Sequence, residues 1–554
     1  MREDLHSGSD SAAVATRATL IAVAWAAVWV VAFAAAFYTT PWFMVAADAL
    51  TETSRFGWPE TLRNAFAPDI EYRPLFRLAN KAAFQLFGFH IWAYETLVLA
   101  QFATVLGLVI WFCRPTTLRR ALATCIALGC LAGLHTSRIL FGFLLVNMGS
   151  VALILLLVAI AMAIEPRARA FGWVLGPLVL VSMLSVEWGV MVALVLPVLW
   201  LTGAPGLDRR AMTWAMAGLA AYVAIRFVFG LIAAPPPFHT ESGFGFAQLS
   251  PEQLQARFER APWLFGLYNV MSTFLTVVAS EPRSGVFSFV QSFIEGNVPY
   301  WQWLHVVSSL LTTTAVAAAL MLYRPSSGRD RFLSVAGLTL LVAGSGFGLP
   351  YTRDRMGMMA GVGYSLLVYV AVAAMLEQAP AHGWRRRAMV CSVVIVASAW
   401  MLRSVETFFQ LRDTAWEYHR EWIERAAELD SMNPPDPILT TMRAAVLSGA
   451  PGDPRLDPTW TYVPFERRFP INAARPLSPP FDLRWAPDVS DAERRRLEEQ
   501  LGLIGGEPVS RDSRHRTWTY RLHRPTRGRV KAILTNADVE DTARIDAERL
   551  EIVE

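Results

Sequence analysis

Long apolar runs separated by short basic segments fill the chain from residue 18 to about residue 405, and the pattern then stops. The runs lie near 18–38, 91–113, 121–135, 143–164, 171–186, 188–203, 212–232, 302–323, 332–350, 358–377 and 387–403. A helix needs roughly 20 apolar residues to cross roughly 30 Å of hydrocarbon. The pattern therefore predicts an α-helical polytopic membrane protein with about 11 transmembrane helices. The two runs flanking Glu187 could equally form one re-entrant pair. The first run is long for a cleaved signal peptide, and Tyr38-Thr39-Thr40-Pro41 is no small-residue cleavage site, so a retained signal anchor is expected.

Basic clusters set the orientation. Arg114/Arg119/Arg120, Arg167/Arg169, Arg209/Arg210, Arg324/Arg329/Arg331 and Arg385/Arg386/Arg387 fall in every second connection. The positive-inside rule makes those connections, and residues 1–17 with Arg2 and Arg17, cytoplasmic. The opposite side then receives the loops 39–90 and 233–300, the short loop 351–356 and the tail 406–554. Trp58 with Leu62 and Phe66, and Leu254, Phe258, Trp263, Leu264 and Leu267, have helical spacing and suggest helices lying in the interfacial plane. Trp42, Trp58, Trp263, Trp301 and Trp303 fit an aromatic belt on that side.

The tail is a different material, rich in Arg, Glu, Asp and Pro. A helix through Trp416, Trp422 and Leu429 is expected to end before Pro434-Pro435. Ser490 to Glu493 reads as a capping box opening a short helix, and 517–523 and 530–534 read as strands. Together they predict a small C-terminal α+β soluble domain, with no internal repeat along the chain.

Composition agrees with this division: 54% of the 554 residues are hydrophobic and only 17% are charged, with a mean hydropathy of +0.34. The net charge of +4 is explained by loop arginines and implies no nucleic-acid partner. Cys113, Cys125, Cys130 and Cys391 lie in or beside apolar runs, so neither a disulfide framework nor a cysteine metal site is implied.

Ionisable groups at a membrane boundary are functional candidates. Topology gathers Asp48, Glu52, Asp69, Glu71, Arg73, Arg138, Asn147, Glu187, Arg353, Asp354 and Arg355 on one side. Glu71-Tyr72-Arg73-Pro74-Leu75 through Leu86-Phe87-Gly88 resembles the "YRPL … LFG" segment of GT-C-fold glycosyltransferases, in particular the O-mannosyltransferase-like membrane proteins. Leu184-Ser185-Val186-Glu187 with Leu196-Pro197 is similar to their "LSKE … LP" element, and Tyr222 to Arg226 to their "YLALR" span. Arg355 with Gly361-Val362-Gly363-Tyr364 resembles their "RYLYLPSVGF" element, and the pieces keep the family's order across about 18–405.

The resemblance implies an inverting, GT-C-type transferase of a bacterial inner membrane. It would move a sugar from a polyprenyl-phosphate-linked donor to a glycan, lipid or protein acceptor on the periplasmic side. Asp48 is the expected general base, with Asp69 the alternative. Arg355, Arg353 and Arg73 are expected to meet phosphate, since guanidinium binds phosphate oxygens in pairs. Arg73 could instead pair with Glu71 or Glu95, and Glu187 could orient the base, hold a metal-bound water or cap the following helix. No cofactor is required by this chemistry; a divalent ion shared by Asp48 and Glu187 is possible, although no metal motif exists. Departures from the family are Asp48 standing without a second acid, Val186 in place of its Lys, and Met356 to Met359 in place of its tyrosines. They leave two other readings open, a non-catalytic GT-C-like scaffold and a transporter or flippase of lipid-linked intermediates.

Overall fold

The computed structural model describes residues 3–37, 56–67, 73–138, 147–228, 251–279, 298–349 and 357–424, apart from Phe89, Pro380 and Ala381, together with four strand segments and a few isolated positions. The chain divides into two units, Met1–Tyr462 and Val463–Glu554.

The larger unit is helical throughout its described residues. Its helices are α1 (Glu3–Phe37), α2 (Trp58–Ala65), α3 (Pro74–Phe87), α4 (Ile91–Cys113), α5 (Leu118–Gly133), α6 (Met148–Ile164), α7 (Leu175–Ser185), α8 (Val190–Leu201) and α9 (Arg209–Val228). They continue with α10 (Pro251–Phe258), α11 (Pro262–Val278), α12 (Tyr300–Leu322), α13 (Gly328–Gly346), α14 (Met358–Glu377) and α15 (Trp384–Glu424). Three 3₁₀ turns, His135–Arg138, Pro166–Val174 and Glu187–Gly189, join neighbours in the bundle. The described part of every expected apolar run falls on one of these helices or on a 3₁₀ turn leading into one. Among the described residues seven are long and apolar enough to cross a membrane: Ala13–Ala35, Ala93–Cys113, Pro166–Ser185, Arg209–Val228, Gln302–Leu322, Met358–Glu377 and Arg386–Val405. The 17-residue α6, Glu187–Leu201 and α11 are apolar but shorter.

α14 is the hub. Its residues from Met358 to Ala374 are all buried, because α13, α5 and α12 pack around it. Close approach is bought with small residues: a Cβ on Gly337 would stand 2.8 Å from the Gly363 carbonyl, and one on Gly344 2.6 Å from the Ala360 amide. Lipid offers no hydrophobic drive to press helices together, so such backbone approach is how membrane bundles gain contact.

Hydrogen bonds sort the helix ends into two groups. At one end, Arg114 meets Glu165 at 2.5 Å, and Arg329 donates to the carbonyls of Phe112 and Trp111. There too Arg169 donates to the Pro205 carbonyl and Gln378 to that of Arg324. All of these residues belong to the connections that carry the basic clusters. Burial and the neighbouring Arg114 charge push the Arg329 pKa down, and Glu165 opposes both. Arg120 anchors this end: its Nη2 lies 2.8 Å from Asp330 Oδ2 and its Nε 2.6 Å from Glu377 Oε1. At the other end, Arg73 reaches Glu187, Asn269 reaches the Leu349 carbonyl, and Gly357 abuts Thr136.

Two expectations are corrected. The segment at Trp263, Leu264 and Leu267 is not a helix resting along the surface of the bundle. α11 dips into it: Asn269 Nδ2 donates to Leu349 O, and Val278 O accepts from Thr313 Oγ1 halfway along α12. Asn269, Ser272, Thr273 and Thr276 interrupt the apolar run in the sequence, but they form one buried face, with Thr273 and Thr276 donating to carbonyls one turn back. Secondly, the last crossing and the helix expected through Trp416 and Trp422 are a single 41-residue helix, α15, with no break near residue 405.

The smaller unit shows a four-stranded antiparallel sheet of β1 (Phe481–Trp485), β2 (Gly506–Asp512), β3 (Thr517–Leu522) and β4 (Leu550–Val553), ordered β2-β3-β1-β4. The strand expected at 517–523 is β3, paired so that Leu483 faces Trp518. The expected helix at 490–502 and strand at 530–534 lie outside the described residues.

The Arg120 cluster yields a stability prediction. Asp330 is 2% exposed and Arg120 14%, so removing the arginine leaves a buried carboxylate uncompensated. Arg120→Gln is expected to cost about 3 kcal/mol, and adding Asp330→Asn to return a good part of it. Denaturant unfolding of the detergent-solubilised protein would measure both.

Candidate functional site

Local sequence explains the geometry of the site's two main carriers. Pro74 occupies the first turn of α3, where a missing N–H costs nothing, and Arg73 precedes it with extended φ of −129°. Lys81 is 5% exposed and donates to the carbonyls of Thr53, at 2.8 Å, and Phe56, at 2.5 Å. Arg77 donates to the Asn64 carbonyl, and Trp58 Nε1 to Gln85 Oε1 at 3.0 Å. The described part of the first loop is thus tied to α3, and α3 packs on α7.

Glu187 stands where α7 gives way to α8. Val186 is extended, at φ −163° and ψ 157°, and the 3₁₀ turn Glu187–Gly189 follows. Gly189 makes the turn possible, because any Cβ there would overlap the Ser182 carbonyl. Trp188 turns inward and covers Gly149, while Val186 is 7% exposed within the core. Glu187 is left on the surface of the bundle.

There it meets Arg73. Arg73 Nε lies 2.8 Å and 2.9 Å from the two carboxylate oxygens of Glu187, across 114 residues of sequence. The side chains are 33% and 32% exposed, so the pair borders open space. Tyr222 and Arg226 of α9 complete the group. The Tyr222 hydroxyl lies close enough to the Arg226 side chain and to Glu187 to feel both charges. Two guanidinium groups, one carboxylate and a phenol therefore gather at one end of the bundle, with one net positive charge. Such a group is suited to binding an anion and to stabilising negative charge that grows on it.

Of the expected site residues, Arg73 and Glu187 are brought together, and Glu71, the alternative partner for Arg73, lies outside the described residues. Asp48, Asp69, Arg353 and Arg355 lie outside the described residues. Tyr222 and Arg226 were not among the expected site residues, although the "YLALR"-like stretch held both. Among the described residues no three His, Cys, Asp or Glu side chains cluster as metal ligands.

No family model and no curated protein matches the chain. Among solved structures it is similar to the crystal structure of ArnT from Cupriavidus metallidurans bound to undecaprenyl phosphate. The two are 14% identical, the alignment covers 90% of this chain and 97% of that one, and the TM-score is 0.42.

An ion pair whose members are one-third exposed contributes little to stability, within about 1 kcal/mol once solvent screening is counted. Glu187→Gln and Arg73→Gln are therefore expected to leave the unfolding midpoint of the purified protein almost unchanged. A large loss of stability in either variant would show the pair to be structural cement rather than a site.

Proposed function

We propose that the chain is a membrane glycosyltransferase that takes a sugar from a polyprenyl-phosphate-linked donor and passes it to an acceptor at the periplasmic face of a bacterial inner membrane. All the expected runs would cross the bilayer in this reading, with the N-terminus cytoplasmic and the tail outside. The observation that carries it is the meeting of Arg73, Glu187, Tyr222 and Arg226. They come from three separate stretches, each resembling a different GT-C element, and they lie at the end of the bundle opposite the basic connections.

The site's chemistry suits such a donor. A polyprenyl tail cannot leave the bilayer, so its phosphate must be met at a helix end rather than in solution. Arg73 and Arg226 would hold that phosphate, with Arg353 and Arg355 as further contacts. Glu187 would keep Arg73 aimed until the phosphate arrives and competes for the guanidinium. Asp48, or else Asp69, would accept the proton of the attacking acceptor hydroxyl as the bond to the sugar's anomeric carbon forms and the phosphate departs. These steps require no cofactor, and a divalent ion shared by Asp48 and Glu187 would be compatible with them.

A specific observation also favours the non-catalytic scaffold. Arg73 and Glu187 already bind one another, which is what a bundle using the pair only to dock its first loop would show. Transfer assays separate the two readings. Membranes containing the protein would be supplied with radiolabelled polyprenyl-phosphate sugars, and release of polyprenyl phosphate would be followed. Asp48→Asn is expected to lower turnover by roughly 10²-fold or more, the usual contribution of a general base. Arg226→Gln is expected to raise the donor's KM. Full activity in Asp48→Asn and Asp69→Asn would remove the assigned bases, and no turnover by the wild type with any donor would favour the scaffold.

A further inference from the structure

A groove of about 450 Å³, lined almost entirely by carbon, runs between α1, α5 and α15, far from the Arg73–Glu187 pair in sequence and on a different set of helices. Ile21 and Val28 of α1, Leu122, Cys125 and Gly129 of α5, and Trp400 of α15 belong to its wall. All three helices are read as crossing the membrane, so water is no reasonable occupant of a cavity this apolar.

The groove has a closed end and an open end. At Gly133 the helices touch: a Cβ there would lie 2.8 Å from Ser404 Oγ and 3.0 Å from the Trp400 carbonyl. One turn back, at Gly129, nothing stands within 4 Å of the same position. Ser404 Oγ still holds the Gly129 carbonyl at 2.8 Å, so the open space at the Gly129 Cβ belongs to the groove itself, whose α5 wall continues through Ile126, Cys125 and Leu122 towards the end of the bundle that carries the basic connections. That end is rimmed by arginine. Arg17 precedes Ile21 by one turn on α1, and Arg119 precedes Leu122 by one turn on α5, so both continue the groove's own stripes. Both are exposed. Thr19 Oγ1, 3.5 Å from the Pro115 carbonyl, brings these two helix ends together.

We infer that this groove binds one acyl chain of an anionic phospholipid, whose phosphate rests between Arg17 and Arg119. The chain must enter from the open end, which places the headgroup against the two cations. A lipid of the leaflet at the basic end meets that requirement, whereas a polyprenyl phosphate serving the Arg73–Glu187 site would come from the other leaflet. The inference does not depend on the transferase reading. Its physical role would be to fill the seam between the first and last crossings, beside the open position at Gly129.

Native mass spectrometry of the full-length protein in detergent would test it. The probes are phosphatidylglycerol, phosphatidylcholine with the same acyl chains, and undecaprenyl phosphate. Each basic residue near a headgroup contributes about 1 kcal/mol, so phosphatidylglycerol is expected to bind roughly tenfold or more tighter than phosphatidylcholine. Arg17→Gln with Arg119→Gln is expected to abolish that preference while keeping a bound chain. Gly129→Leu, which extends into open space, is expected to remove bound lipid with the circular dichroism spectrum and elution volume unchanged. Should Gly129→Leu fail to fold, Cys125 provides an independent reading. In a Cys391→Ser background, with Cys113 and Cys130 buried, phosphatidylglycerol is expected to slow maleimide labelling of Cys125 severalfold. Equal binding of the two phospholipids, retention of lipid by Gly129→Leu, unprotected Cys125, or displacement of phosphatidylglycerol by equimolar undecaprenyl phosphate would each overturn the assignment.

Discussion

Charge is costly in hydrocarbon, and nearly every feature of the larger unit follows from where that cost sends the ionisable groups. Arg114, Arg120, Glu165, Arg329, Asp330 and Glu377 come from four separate stretches, yet they share one end of the bundle and neutralise one another there. Every crossing between those stretches must then begin or finish at the same level. The opposite end is fixed as a consequence, and with it the place where Arg73, Glu187, Tyr222 and Arg226 can meet. A carboxylate such as Asp330, almost wholly buried, survives because Arg120 and the Ser327 hydroxyl both reach it.

Between the two ends the bundle is held by shape. Gly337 against Gly363, Gly344 against Ala360 and Gly176 against Gly218 bring helix backbones into direct contact. Backbones in direct contact have little freedom to slide, so the loops at the two ends are presented on a stiff base. Beside Gly129 a Cβ would meet nothing within 4 Å, and there the wall is nearly bare of polar atoms. Lipid and helix substitute for each other there, since both offer only dispersion contact.

Apolar run length and the alternation of arginine clusters carried the placement of the crossings, because both depend only on local composition. Seven of the described helices are long and apolar enough to cross a membrane, and ion pairs join four of the basic stretches at one end. Two features were hidden for a common reason. α11 is broken in the sequence by Asn269, Ser272, Thr273 and Thr276, yet Thr273 and Thr276 donate to carbonyls one turn back and Asn269 Nδ2 donates to Leu349 O. The meeting of Arg73 with Glu187 was hidden as well: the two are 114 residues apart and come together only once α3 packs on α7. Tyr222 and Arg226 lay within a stretch already noticed for its resemblance, but periodicity marked it as a crossing and gave no reason to look for side chains at its end. Pattern reports which solvent a residue faces. It does not report which residue it faces.

Val186 shows how the departures from the GT-C pattern fit this geometry. In the extended residue before Glu187 the side chain points into the core, where it is 7% exposed. An ammonium at that depth would need a buried counter-charge, and Glu187 is turned the other way, towards Arg73. Valine therefore belongs to the same choice that aims Glu187 outward. Because the resulting pair is one-third open to solvent, breaking it costs little, and a competing anion would need only a modest advantage over the carboxylate to take the guanidinium. A fully buried pair, like that of Arg120 and Asp330, could not be exchanged in this way. The difference in burial between the two ion pairs is thus the physical basis for assigning one to the fold and the other to a site.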